Sequence, residues 1–198
     1  MKHILLLVIC MLVSCKKENG TYNKKENSNI YKMSSLEKDF HKSNYFNEER
    51  IKRDKFLVTS KGDNLAYSEL ELYYSYNNLR KDEILPYSLM MVEKFKKYKY
   101  CTNLFEDFLE FYSGKSNNYD GTEKSLIDYL GGINKLDESQ KRYLIYFLNI
   151  GAKNNDFGSV RYLEIIYRNG LGVSVNTKSA DSLKSCIKEK FPAKRGER

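Results

Sequence analysis

Small, large and aromatic residues recur at four-residue intervals along this chain. Ala66, Leu70 and Tyr74 share one helical face; Cys101, Phe105 and Leu109 repeat it, and Ser159, Leu163 and Tyr167 repeat it again. Each series predicts a helix with one apolar stripe, headed by a small residue that lets a second helix come close. A second set follows at i, i+3, i+7: Ser88, Met91 and Phe95; Tyr143, Tyr146 and Ile150; Ala180, Leu183 and Ile187. The pairing of the two sets predicts three helical hairpins. Leu70 to Phe105 is a step of 35 residues, and Phe105 to Leu163 is a step of 58. A period near 35 is the spacing of stacked helical-hairpin repeats. The longer step leaves about 23 extra residues in the second unit, between Tyr112 and Leu136: a Ser/Gly/Asn loop, a short helix around Glu123–Leu130, then Gly131-Gly132. The expected fold is therefore all-α, a short α/α solenoid of about three hairpin repeats with seven or eight helices.

The flanks follow the same logic. Glu48 to Thr59 predicts a lone helix with Ile51, Lys55 and Val58 on one face, an N-terminal cap over the first hairpin. Gly62-Asp63 breaks the chain after it. Ser34-Ser35-Leu36-Glu37 has capping-box spacing and predicts a short helix to about Lys42. The rest of 15–46 is Lys, Asn, Ser and Glu without apolar period, which reads as a flexible tether. The repeat domain is expected over 47–191, and the basic tail 192–198 as disordered. An isolated hairpin offers too little apolar surface to offset its chain entropy. Leu163 and Tyr146 are accordingly expected to anchor one cooperative unit.

The best-formed unit, Asp156 to Ile187, carries Gly170 and Gly172 between its helices, where left-handed turn conformations are expected. Here the chain resembles the Sel-like repeat (SLR) family, a relative of the tetratricopeptide repeat. Leu163, Tyr167, Gly170, Gly172, Val173, Lys178 and Ala180 match its pattern. Glu164 departs from it where Gly is usual, and Ser174-Val175 where Pro and a polar residue are usual. The resemblance is specific over these 32 residues and degenerate elsewhere. It implies a non-enzymatic scaffold or adaptor that binds another protein.

At the start of the chain, Lys2 and His3 precede an apolar run from Ile4 to Val13. Ten residues are too few to span a bilayer, for which a helix needs about 20, so 1–14 reads as a signal peptide. Leu12-Val13-Ser14-Cys15 resembles the lipobox of bacterial lipoproteins, which implies acylation (palmitate among the chains) on Cys15 as the mature N-terminus. Lys16 follows Cys15 where an inner-membrane retention signal would place Asp. The resemblance thus implies a lipid anchor in the cell outer membrane with the body on the periplasmic side, surface display remaining an alternative.

The net charge of +8 does not sit on the expected body. Residues 16–61 carry +5 and 188–198 carry +3, whereas 62–187 carry −1, so no nucleic-acid partner is expected. Lys94, Lys96, Lys97 and Lys99 read as the cationic end of a helix. Both histidines, His3 and His41, fall outside the repeat domain, which leaves His-based acid/base chemistry without a candidate there. Cys101 and Cys186 lie on apolar faces in different hairpins and read as free thiols; no Cys/His spacing suggests a metal. Glu106, Asp107 and Glu110 are paired carboxylates at helical spacing, which reads as the solvated side opposite Phe105, Phe108 and Leu109. No catalytic residue and no cofactor beyond the Cys15 lipid are expected. Tyr73, Tyr76, Tyr112, Tyr119 and Tyr162 flank core positions and are the candidate partner anchors, since amphipathic rings suit protein contacts. The expected function is a membrane-anchored protein-binding module, in its narrower form an immunity-type protein that occludes a toxin. The alternative is an envelope ligand-binding protein or hydrolase accessory with a pocket in 113–135, and a purely structural lipoprotein is a third.

Overall fold

The computed structural model describes residues 34–43 and 46–192. The expected signal peptide, Cys15, most of the expected tether and the residues from 193 on lie outside the described residues. Among the described residues the fold is all-α, with nine α-helices, short 3-10 and π turns, and no strand. None of these helices is long and apolar enough to cross a membrane.

Helix α1 (Ser35–Lys42) starts at the capping box: Ser34 Oγ accepts the Glu37 N–H, and the Glu37 carboxylate accepts the Ser34 N–H. The Phe40 ring stacks on Tyr76 at 4.6 Å and tilts against Phe46 at 5.2 Å. The compact unit consequently begins at Ser34, upstream of the boundary at 47 read from the sequence. Two isolated aromatics do not register as a helical period.

Helix α2 (Glu48–Lys61) is capped by Asn47 and buries Ile51, Asp54 and Val58. Gly62 ends it with φ +61°, and a side chain there would also meet the Phe95 ring, 2.7 Å from Cδ2. Helix α3 (Asn64–Ser75) starts on the Asp63 side chain and buries Ala66, Tyr67, Leu70 and Tyr74. A 3-10 segment (Asn78–Ile84) leads to the short α4 (Leu85–Leu89) and a π turn (Met90–Lys94). Ser88 and Met91 are buried as the stripe requires, and Phe95 packs half-buried beneath Gly62. In this first unit α3 packs chiefly on α2 and on the 3-10 segment, whereas α4 packs on the helix that follows.

That helix, α5 (Cys101–Ser113), is the spine of the molecule. Its Cys101 and Leu104 belong to a core cluster with Val58, Tyr67, Leu70 and Met91. Its Phe105 and Leu109 belong to a second cluster with Leu130, Ile133, Leu144 and Leu163. Between α5 and α7 (Glu138–Lys153) the chain inserts α6 (Glu123–Leu130) and a 3-10 turn (Gly131–Lys135). The insertion supplies core: Leu126, Tyr129, Leu130, Ile133 and Leu136 are all buried. Helix α8 (Phe157–Asn169) packs between α7 and α9 (Thr177–Lys190). Gly170 and Gly172 take φ +64° and +68°, the left-handed turn expected between α8 and α9.

The apolar face of α7 differs from the expected one. Leu144, Phe147, Leu148 and Gly151 are buried, whereas Tyr143 and Tyr146 are 37% and 49% exposed. The true stripe lies one residue further on, a rotation of about 100° at 3.6 residues per turn. Gly151 explains the choice. A side chain there would collide with Ser159 and stand 2.7 Å from Cys101 Cβ, so α5, α7 and α8 meet at three small residues. Of the expected repeat-core residues, Tyr167, Leu183 and Ile187 are only half-buried, because α9, the last described helix, packs chiefly on α8 among the described residues.

Candidate functional site

The carboxylates of α5 do not form a solvated stripe. Asn103, Glu106, Asp107 and Glu110 fall at i, i+3, i+4 and i+7, facing α3 and the 3-10 segment across a recess of about 190 Å³. Glu71, Tyr74 and Ser75 of α3 form the opposite wall, with Lys81 and Ile84 of the 3-10 segment at one side. Four carboxylates thus surround one cation. Glu106, Asp107 and Glu110 therefore do not lie on the solvated side expected of them: α5 is buried on more than its Phe105/Leu109 stripe, since α3 and the 3-10 segment stand over the adjoining polar face.

Each carboxylate is held. Asn103 Nδ2 donates to Glu71 Oε1 at 2.6 Å, tying α5 to α3. Tyr162 on α8 donates its hydroxyl to Glu106. Glu110 accepts from Lys81 Nζ and from the Asn117 backbone N–H, the latter at 3.0 Å. Asp107 sits deepest, at the end of a relay in which Tyr67 donates to Ser88 Oγ at 2.9 Å and Ser88 donates to Asp107 Oδ2 at 2.6 Å.

The electrostatics follow from this crowding. Burial, with Glu71 and Glu106 adding like charge, pushes the Asp107 carboxyl up to about 7 against the Ser88 hydrogen bond. Burial likewise raises Glu106, opposed by the Tyr162 hydroxyl and reinforced by Glu110. Glu71 is raised by burial, against the nearby Tyr67 hydroxyl and the hydrogen bond from Asn103. Buried Tyr129, whose hydroxyl has no hydrogen-bond partner, stands within the field of Glu106 and Glu110. The recess therefore holds excess negative potential that protonation relieves in part. Among the described residues no group of His, Cys, Asp or Glu is arranged to hold a metal ion. What the walls do offer is several charged acceptors around a space fit for the head of a cationic side chain.

The five tyrosines singled out from the sequence fall into separate neighbourhoods. Tyr73 and Tyr76 are half-buried beneath Phe46 and Phe40. Tyr112 stacks on Phe108 at 5.7 Å and meets Phe111 edge-on. Tyr162 touches the recess through Glu106, with burial and that carboxylate holding its hydroxyl well above the usual phenol range. Tyr119 is 54% exposed on the 113–135 insertion. The recess itself is lined elsewhere, by α3, α5 and the 3-10 segment.

A signal for the recess was present in the sequence. Glu71, Glu106 and Glu164 each follow the central apolar residue of their stripe, Leu70, Phe105 and Leu163, so they hold the same position relative to the three stripes. On α8 Glu164 is buried and paired with Arg161 at 2.8 Å and Arg168 at 2.6 Å, which accommodates the charge there. At the first two stripes no arginine among the described residues pairs with the equivalent carboxylate; Asn103 donates to Glu71 and Tyr162 to Glu106 instead. No family model matches the chain, and no curated protein and no solved structure matches it.

Proposed function

We propose that this protein is a lipid-anchored, non-enzymatic helical-repeat module of the cell envelope. Its acidic recess receives a lysine or arginine side chain from a basic segment of a partner protein. The observation that carries the reading is the imbalance in the recess, where four carboxylates line the walls with Lys81 and where burial, reinforced by the like charges of Glu71 and Glu106, pushes Asp107 up to about 7. A guanidinium or ammonium head relieves that repulsion and gains charge-assisted hydrogen bonds in a partly desolvated site.

In the solenoid reading α3, α5 and α8 are the first helices of successive repeats, and the Asn103–Glu71 and Tyr162–Glu106 bonds run laterally between them. Repeat proteins bind partners along such a shared helix face. An immunity-type protein that occludes a basic toxin surface is a special case of this function. The lipobox-like Leu12-Val13-Ser14-Cys15 supports the anchor, and the basic stretch behind it suits an anionic membrane surface.

Calorimetric titration of the full chain with an arginine-rich peptide and its glutamine isostere tests the recess. Binding of the basic peptide alone is expected, stronger at about pH 8 than at about pH 6 because carboxylate deprotonation favours the cation. It should be lost in the Glu71→Gln/Glu106→Gln/Asp107→Asn variant. Equal affinity for both peptides, or unchanged binding by that variant, overturns the assignment. Incorporation of labelled palmitate, abolished by Cys15→Ser, tests the anchor separately.

A further inference from the structure

A second concavity, of about 450 Å³, runs along the solvent side of α7 against the turn between α8 and α9. Its floor is Ile145, Tyr146 and Val173, and its rim carries Lys141, Arg142 and Lys153 against the single acid Glu138. Glu138 already pairs with Lys141 at 2.8 Å, whereas Arg142 and Lys153 are exposed and make no ion pair among the described residues. The groove therefore has the charge opposite to that of the acidic recess.

Its walls are fixed before any ligand arrives. The turn is pinned by the Gly172 N–H, which donates to Asn134 Oδ1 at 2.7 Å. Gly172 lies against Ile133 so closely that any side chain there would clash. A preformed trough loses little entropy on binding. Tyr146 stands half-exposed in the floor, although its spacing reads like a core position. A large aromatic held at the surface beside unpaired cations is the composition of a binding hot spot.

We propose that this groove docks an acidic segment of a partner protein that carries an apolar anchor residue. The anchor sits over Ile145, Tyr146 and Val173, and carboxylates of the segment pair with Arg142 and Lys153. The spacing favours a peptide over a lipid headgroup. Arg142 and Lys153 are eleven residues apart on α7, about 16 Å along the axis at 1.5 Å per residue. A single headgroup presents its negative charge at one point, whereas carboxylates along a peptide reach both cations with the apolar contact between them.

The test is fluorescence anisotropy of the full chain with three labelled peptides: an Asp/Glu-rich peptide with a central Leu, its Asn/Gln isostere, and the acidic peptide with Gly for Leu. The first should bind in a salt-sensitive manner and the other two at least tenfold more weakly. Arg142→Glu/Lys153→Glu, both at exposed positions, should weaken the first peptide by at least tenfold while leaving the thermal midpoint nearly unchanged. Glu71→Gln/Glu106→Gln/Asp107→Asn should leave it unchanged, so that failure here and failure of the acidic recess are told apart. Indifference to the charge reversal overturns the proposal. So does binding of phosphatidylglycerol vesicles by the Cys15→Ser chain that competes the peptide off and is itself lost on charge reversal, which would make the groove a lipid site.

Discussion

Asn103 on α5 donates its side-chain amide to Glu71 on α3 at 2.6 Å, closing the acidic recess from one side. The donor is neutral, so it satisfies the carboxylate without cancelling its charge. Asn103→Ala leaves a half-buried acceptor without its partner, a loss worth about 1 kcal/mol. The expected outcome is a lower urea midpoint with an unchanged slope. An unshifted midpoint would show that the bond does not couple the two helices.

Stability should rise as pH falls toward 5.5. Asp107 titrates at about 7 in the folded protein and near the ordinary carboxylate value when unfolded. Between those values the folded state holds a proton that the unfolded chain has released, so the contribution is fully present at the acid end and lost as pH rises through about 7. Glu71 and Glu106 are raised too and act with the same sign. Carboxylates lowered by partners, such as Glu83 beside Arg80, titrate below this window. Thermal melts at about pH 5.5 and about pH 8 should show the higher midpoint at the lower pH, and Asp107→Asn should flatten the difference. Glu71→Gln removes a like charge and should move the Asp107 titration, followed by carbon-13 NMR, downward from about 7.

Much of the helical framework was legible because its determinants are local. The capping box at Ser34, the helix Glu123–Leu130 and the left-handed glycines after α8 all rest on short-range chemistry. Burial was less legible where two stripes compete on one helix. In α7 the run Tyr143-Leu144-Ile145-Tyr146-Phe147-Leu148 supports two registers, and only Gly151, read against Ser159 and Cys101, selects between them. The recess is illegible in the sequence for a related reason. The acidic face of α5 looks solvated until α3 and the 3-10 segment are placed over it, although the recurrence of Glu after each central apolar residue marked the position.

The α7 register makes a contrast between neighbours. Phe147 is fully buried against Phe108 and Tyr143, whereas Tyr146 is 49% exposed. Phe147→Ala should cost about 3–5 kcal/mol, the usual loss for a buried aromatic. Tyr146→Ala should fall within about 0.5 kcal/mol of the parent, as exposed positions do. Denaturant unfolding of the pair distinguishes this register from the one in which Tyr146 is core; equal losses would favour the latter.

The two thiols of the described residues should differ in reactivity in a way that reports on the three-helix crossing. Cys101 is fully buried where α5 meets Gly151 and Ser159, and burial pushes its thiol up to about 12, so almost no thiolate exists at neutral pH. Cys186 on α9 is half-buried and free. With iodoacetamide, peptide mapping should find Cys186 modified first and Cys101 protected until the protein unfolds. Gly151→Ala forces a methyl between Cys101 and Ser159, an overpacking worth about 1–3 kcal/mol. It should therefore speed Cys101 labelling through the larger unfolded fraction while leaving Cys186 nearly unchanged. Cys101 labelling at the Cys186 rate in the parent protein would contradict the crossing.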